Sequence, residues 1–208
     1  MIPSLGQIPA IRNFARLFGK APMQPSARQF LLDLIPADSV GAEIGVHKGD
    51  FSAELLAHVR PRELHLIDPW QHETSNIYRD AWYGGKASAG QLEMDERYQQ
   101  TCDRFEEEMD DGRVIVHRGY SDEVLAGFSD DYFDWVYIDG NHLYEFVRQD
   151  LLLSLQKVRP GGMITGDDYT EGGWWEGGVK LAVDEFVREA PVELMALENR
   201  QFALRVKG

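Results

Sequence analysis

The sequence holds a single cysteine, Cys102, in 208 residues. One thiol excludes an intramolecular disulfide and any thiolate cage for zinc or an iron–sulfur cluster, and it fits a reducing compartment. A metal site in this chain must therefore use oxygen or imidazole ligands. Positive charge is scarce as well, with 21 Lys and Arg against 35 Asp and Glu, a formal charge of -14. The basic surface that a phosphate backbone requires is missing, so no nucleic-acid partner is expected. Nothing approaches the roughly 18–20 uncharged apolar residues of a membrane-spanning helix. Near the start, Pro3 and Pro9 break and Arg12 and Arg16 interrupt what would be the apolar centre of a signal peptide. A cytoplasmic protein without a membrane partner is expected. The 6 histidines include no H-x-x-x-H pair, so the sequence offers little support for zinc.

What the chain does have is an ordinary globular composition, 43% hydrophobic and 27% charged. Its length suits one domain of roughly 100–200 residues with a real core. Residues 8–18 place Ile8, Ile11, Ala15 and Phe18 on one helical face, a lid or a docking arm with a surface for a second subunit. Ser26 to Gln29 forms a capping-box start for a helix through FLLDLI that ends before Pro36. Segment 1–37 is thus set apart from the domain at 38–208.

Within that domain, apolar runs and helical periods alternate. Strands are expected at VGAEIGV (40–46), ELHLID (63–68), RVIVH (113–117), FDWVYID (133–139) and GMITGD (162–167). Helices fall between them: one through Phe51, Leu55 and Val59, one at 94–109, a short one at 121–127, and one from Leu143 to Val158. A further one repeats Val179, Ala182, Val183 and Phe186. This alternation calls for an α/β, doubly wound, mostly parallel sheet with helices on both faces. VELMALE (192–198) and QFALRVK (201–207) add a C-terminal antiparallel hairpin, making seven strands. Residues 70–93 break the rhythm, and an insertion of that length is usually functional or disordered.

Glu43-Ile44-Gly45-Val46-His47-Lys48-Gly49 joins the first strand to its helix. A glycine-rich turn there lets a ligand approach the backbone, or is simply a tight strand-to-helix turn. It is not G-x-G-x-x-G, which disfavours a dinucleotide and a NAD-dependent dehydrogenase. Asp68 closes the second strand, where it either caps the turn before Pro69 or accepts the hydroxyl hydrogens of a ribose. The pair suggests an adenosine ligand. Asp139 ends the fourth strand and Asp167-Asp168 the fifth, bringing three carboxylates to the sheet edge where such folds bind ligands. Neighbouring acids repel unless a cation relieves them, and all-oxygen ligation suits Mg²⁺ or another hard divalent ion. Each could instead cap a turn. His142 is open to three readings: general base, metal ligand or exposed first-turn residue. Trp174 and Trp175 lie between glycine pairs, as an aromatic flap or as packing.

EIGVHKGDFS, LIDPW, IDGNHLYEFVRQDL and GDDY together resemble the class I S-adenosylmethionine-dependent methyltransferases over residues 38–207. The last two segments are similar to the metal-dependent small-molecule O-methyltransferases of the catechol, caffeoyl-coenzyme A and macrocin types. The resemblance implies a Rossmann-like fold. It also implies methyl transfer to a hydroxyl of a small molecule, sugar or phenol-like, with the divalent metal on Asp139, Asp167 and Asp168. It names Glu43, Gly45, Val46, Gly49, Asp68 and Asp139 as contacts to the methyl donor, and places Ser121 near its adenine. Catechol-type enzymes carry a lysine base three residues after the first metal ligand, and here that place belongs to His142. His142 and Asp139 are thereby the catalytic pair. Two alternatives remain, a metal-independent methyltransferase of this fold and a non-catalytic donor-binding module.

Overall fold

The computed structural model describes residues 28–208. The expected helix at 8–18 and the capping serine Ser26 lie outside the described residues. The chain continues with α1 (Gln29–Leu34), β1 (Val40–Ile44), α2 (Asp50–His58), β2 (Glu63–Asp68), a 3-10 turn (Asn76–Tyr78), α3 (Gln91–Arg104) and α4 (Glu106–Asp110). β3 (Val114–Arg118), α5 (Ser121–Ala126), β4 (Phe133–Ile138), α6 (Tyr144–Lys157), β5 (Val158–Gly166), α7 (Gly178–Glu189), β6 (Val192–Glu198) and β7 (Gln201–Val206) complete it.

The strands form one seven-stranded sheet in the order β3-β2-β1-β4-β5-β7-β6. Strands β1 to β5 pair in parallel, and β7 is antiparallel to both β5 and β6. The seven strands, the mostly parallel sheet and the terminal hairpin agree with the sequence reading. Successive strand residues point to opposite sides, and helices cover both faces, so both are buried. Val40, Ala42, Ile44, Val136 and Ile138 pack with Leu125, Val147, Leu151, Val183 and Phe186 of α5, α6 and α7. Leu64, Leu66, Trp135 and Tyr137 meet Leu31, Phe51, Leu55 and Met94 of α1, α2 and α3 on the other side. Continuous rather than alternating apolar runs are what such a sheet demands. No helix among the described residues is long and apolar enough to cross a membrane.

Two elements differ from expectation, and the insertion at 70–93, left open between functional and disordered, has a definite structure. The helix expected at 94–109 breaks at Phe105, whose φ of -112° is not helical. Phe105 is buried, and the break gives Glu106, Glu107 and Glu108 the first turn of α4, where the helix dipole favours acids. Val158 leaves the apolar stripe of α6 to begin β5, because Pro160 cannot continue a helix. The insertion is built rather than loose: Trp70, Tyr78, Ala81 and Ala87 are buried, and the Trp70 indole donates to the His47 carbonyl at 2.9 Å.

Register places the site. Ile67, Ile44, Ile138 and Gly166 lie side by side across β2, β1, β4 and β5. The residues that follow them, Asp68, Gly45, Asp139 and Asp167, therefore form a row along the carboxyl edge. The chain order reverses between β1 and β4, and at such a switch point the departing connections leave a crevice.

Candidate functional site

That crevice is a cleft of about 710 Å³, lined among others by Gly45, Asp68, Ser121, Asp139, His142 and Asp168. Its floor is the β1–α2 turn. Gly45 has φ +90°, and a Cβ on it would stand 2.1 Å from the Asp139 carbonyl oxygen. Only glycine lets β1 and β4 approach this closely. Gly49, at φ +74°, is the residue preceding α2, and the Gly49 amide donates to the Val46 carbonyl at 2.9 Å.

Asp68 is only 1% exposed and is held by four donors. The Val46 and His47 amides donate to Oδ2 at 2.9 and 3.0 Å, and the Trp70 amide donates to Oδ1 at 2.7 Å. The Tyr83 hydroxyl donates to Oδ2 at 2.5 Å. Burial raises the carboxyl pKa in spite of these bonds. The amides of the β1–α2 turn thus fasten this acid to the turn, and Tyr83, from the insertion, closes the set. Glu43 is also buried beneath the turn and accepts from Ser52 Oγ at 2.5 Å. Burial pushes it up to about 8, only partly opposed by the Ser52 bond.

The Glu43 shift sets a pH dependence. Its folded pKa lies above the unfolded value, so the folded state binds the proton more tightly. Stability from this group is full below about 4.5 and is lost as pH rises through about 8. Glu43→Gln is expected to gain stability over the parent at pH 8 by on the order of 2–4 kcal/mol, with little difference at pH 4.5. Urea unfolding of both proteins at the two pH values checks this, and equal differences at both would refute it.

The acidic end of the cleft is organised by two arginines that the sequence reading did not include. Arg28 donates from Nη2 to Asp139 Oδ2 at 3.0 Å and to Asp167 Oδ2 at 2.5 Å, and from Nε to Asp167 at 3.1 Å. Its guanidinium lies 4.8 Å from the centre of the Phe51 ring. Arg200, in the β6–β7 turn, donates to Asp168 Oδ1. Asp167 also accepts from the Asp168 amide at 2.7 Å and is not among the residues lining the cleft. His142 Nε2 stands between the remaining oxygens, 3.4 Å from Asp139 Oδ1 and 3.3 Å from Asp168 Oδ2. Burial alone would lower its pKa, but the bond to Asp139 and the surrounding carboxylates reverse the direction and raise it.

The structure thus brings together Asp139, His142 and Asp168, each offering one ligand atom with all three within 4.8 Å of one another. Asp167 stands outside this group, with Arg28 on its Oδ2 and the Asp168 amide on its Oδ1. No local spacing signals either arginine: Arg28 is 139 positions from Asp167, and only the folded chain joins them. The tryptophans divide their roles. Trp174 lines the cleft with its ring 5.3 Å from Tyr78, while Trp175 packs on the core and lies 4.8 Å from the His142 ring. At the far end, Ser121 Oγ donates to Asp150 Oδ1 at 2.5 Å.

Solved structures of similar fold are found among methyltransferases. The chain is 17% identical to the O-methyltransferase TomG from Streptomyces achromogenes, solved with SAM, at a TM-score of 0.57 over 86% of this chain and 77% of that one. N-methyltransferase NodS from Bradyrhizobium japonicum WM9 is 16% identical at a TM-score of 0.55, covering 88% and 94%. Cofactor-bound Rv0187 from MTB reaches a TM-score of 0.61 at 15% identity, covering 89% and 82%. These likenesses show the fold alone. No curated protein sequence matches the chain. The family described as "Methyltransferase domain" matches residues 42–169, more than half of the chain and all of the cleft floor from Glu43 to Asp168, and to that family this protein belongs.

Proposed function

We propose that the protein transfers the methyl group of S-adenosylmethionine to a hydroxyl of a small molecule, sugar or phenol-like, with a divalent cation beside Asp139. One observation carries the reading: Asp139 Oδ1, Asp168 Oδ2 and His142 Nε2 converge at one end of a cleft that extends past Asp68 to Ser121. TomG, an O-methyltransferase of the same fold solved with SAM, supports the donor and the acceptor atom.

The donor set fits a divalent cation. Two carboxylate oxygens suit Mg²⁺ or Mn²⁺, and Asp139 and Asp168 would hold it. Bound there, such a cation supplies Lewis acidity toward a hydroxyl acceptor. Everything else falls to the chain's own residues. Arg28 and Arg200 fix the outer oxygens of the two acids and leave the inner ones facing the cleft. Trp174 and Tyr78 wall the acceptor space. The acceptor oxygen attacks the methyl carbon in line with its bond to sulfur, that bond breaks, and neutral S-adenosylhomocysteine leaves. The hydroxyl proton passes to His142 in its neutral form, and the two carboxylates beside Nε2 stabilise the imidazolium that results.

Turnover of hydroxyl acceptors, followed with and without chelator, tests this. Transfer is expected to fall at least about 10-fold on chelation and to return with Mg²⁺ or Mn²⁺. Unchanged transfer after exhaustive chelation would establish the metal-independent reading. Calorimetric binding of S-adenosylhomocysteine without turnover of any acceptor would establish a donor-binding module.

A further inference from the structure

The three acids at the His142 end of the cleft are not equivalent. Asp139 gives Oδ2 to Arg28 and keeps Oδ1 toward His142, while Asp168 gives Oδ1 to Arg200 and keeps Oδ2 toward His142. Asp167 has both oxygens engaged. Its Oδ2 accepts from Arg28 Nη2 at 2.5 Å and from Nε at 3.1 Å, and its Oδ1 accepts from the Asp168 amide at 2.7 Å. The arginine that engages it is firmly placed. The Arg28 carbonyl accepts from the Leu31 and Leu32 amides at 3.0 and 3.3 Å, which fastens its backbone to the first turn of α1, and both leucines are buried. Its guanidinium lies 4.8 Å from the centre of the Phe51 ring and 5.6 Å from that of Tyr137, an aromatic seat that favours a cation.

We infer that Arg28 is a specificity-determining residue that withholds Asp167 from the divalent cation, so that two carboxylates hold the ion where the sequence offers three. The inference rests on the cation reading above and extends it to the make-up of the ion's shell. Affinity for such ions follows the number of charged ligands, and three acids set against two arginines leave one net negative charge at this end of the cleft. The ion is therefore held loosely and exchanges readily. Most of an octahedral shell is left to water and to acceptor oxygens, so a hydroxyl acceptor supplies ligands that the chain does not.

Spectroscopy and calorimetry on the full chain test this. In NMR spectra of nitrogen-labelled parent, the Arg28 Nε–H that bonds Asp167 should keep its position and its protection from exchange as Mg²⁺ saturates the site, a measurement that needs no variant to fold. Loss of that protection on Mg²⁺ binding means that the ion expels Arg28 and recruits Asp167, and it overturns the proposal. Arg28→Met, with melting curves confirming a folded protein, is expected to bind Mn²⁺ at least about 10-fold more tightly than the parent, because Asp167 is then free to join the shell. Made on top of Asp167→Asn, the same change should gain at least about 3-fold less, since no carboxylate remains to be released. An Arg28→Met protein that binds no more tightly overturns the proposal, as does a gain undiminished by Asp167→Asn, which would leave Arg28 acting by charge alone. If neither the parent nor Arg28→Met takes up either ion, the cation reading itself fails and this inference falls with it. Uptake with Arg28 displaced sinks the inference alone.

Discussion

Replacing Asp139 with asparagine is expected to lower methyl transfer by about 10²- to 10⁴-fold while the affinity for S-adenosylhomocysteine stays within about 10-fold. The separation follows from where the carboxylate stands. Asp139 begins just past β4, its Oδ1 faces His142, and its Oδ2 accepts from Arg28. Asparagine keeps the shape and one acceptor but loses the charge that stabilises a protonated imidazole and that a cation would require. The far end of the cleft, with Asp68, Ser121 and Asp150, is untouched. The fold should survive, because Arg28 retains Asp167 as its partner at 2.5 Å. Steady-state kinetics beside calorimetry separates the two effects. A variant that lost affinity and turnover in equal measure would place Asp139 with the donor rather than with the chemistry.

Gly45→Ala is the second large effect. A methyl group there would meet the Asp139 carbonyl oxygen at 2.1 Å and the Gly140 nitrogen at 2.6 Å, at a φ of +90° that L residues rarely adopt. Both obstacles are backbone, so no side chain can swing aside. β1 and β4 must separate at the switch point, or the turn must rebuild. A destabilisation of about 2–5 kcal/mol is expected, as is a loss of donor affinity of more than about 10-fold where the variant is still folded. For a chain of this size that is a melting temperature lower by roughly 5–15 °C. Urea unfolding and calorimetry read the two effects, and a variant within about 0.5 kcal/mol of the parent would show that the turn has room the structure denies.

Much of the site could be read from residue order because its geometry follows from topology. Once β1, β2, β4 and β5 are parallel and in register, Gly45, Asp68, Asp139 and Asp167 must stand in a row, since each is the next residue after its strand's aligned position. The strands themselves were legible because runs such as FDWVYI must be apolar on both faces. The helix break at Phe105 was less so, because the apolar period carries on through Met109 and only the buried ring shows where the axis changes.

The choice among neighbouring acids had no such signal. Asp167 and Asp168 are adjacent in sequence and identical in kind, yet one accepts from Arg28 and the other faces His142. The side chains that meet Asp168, His142 and Arg200, and the arginine on Asp167 come from distant parts of the chain, and Tyr83 reaches Asp68 from an insertion with no periodic pattern. The sequence by itself determined the parallel sheet, its terminal hairpin and the edge at which acids gather, because patterning and turn residues act locally and repeat. Only the tertiary structure decided which acids pair with arginine, which frame His142 and which hydroxyls they hold, because charges and hydrogen bonds are settled by ångström-scale distances between segments that nothing local relates.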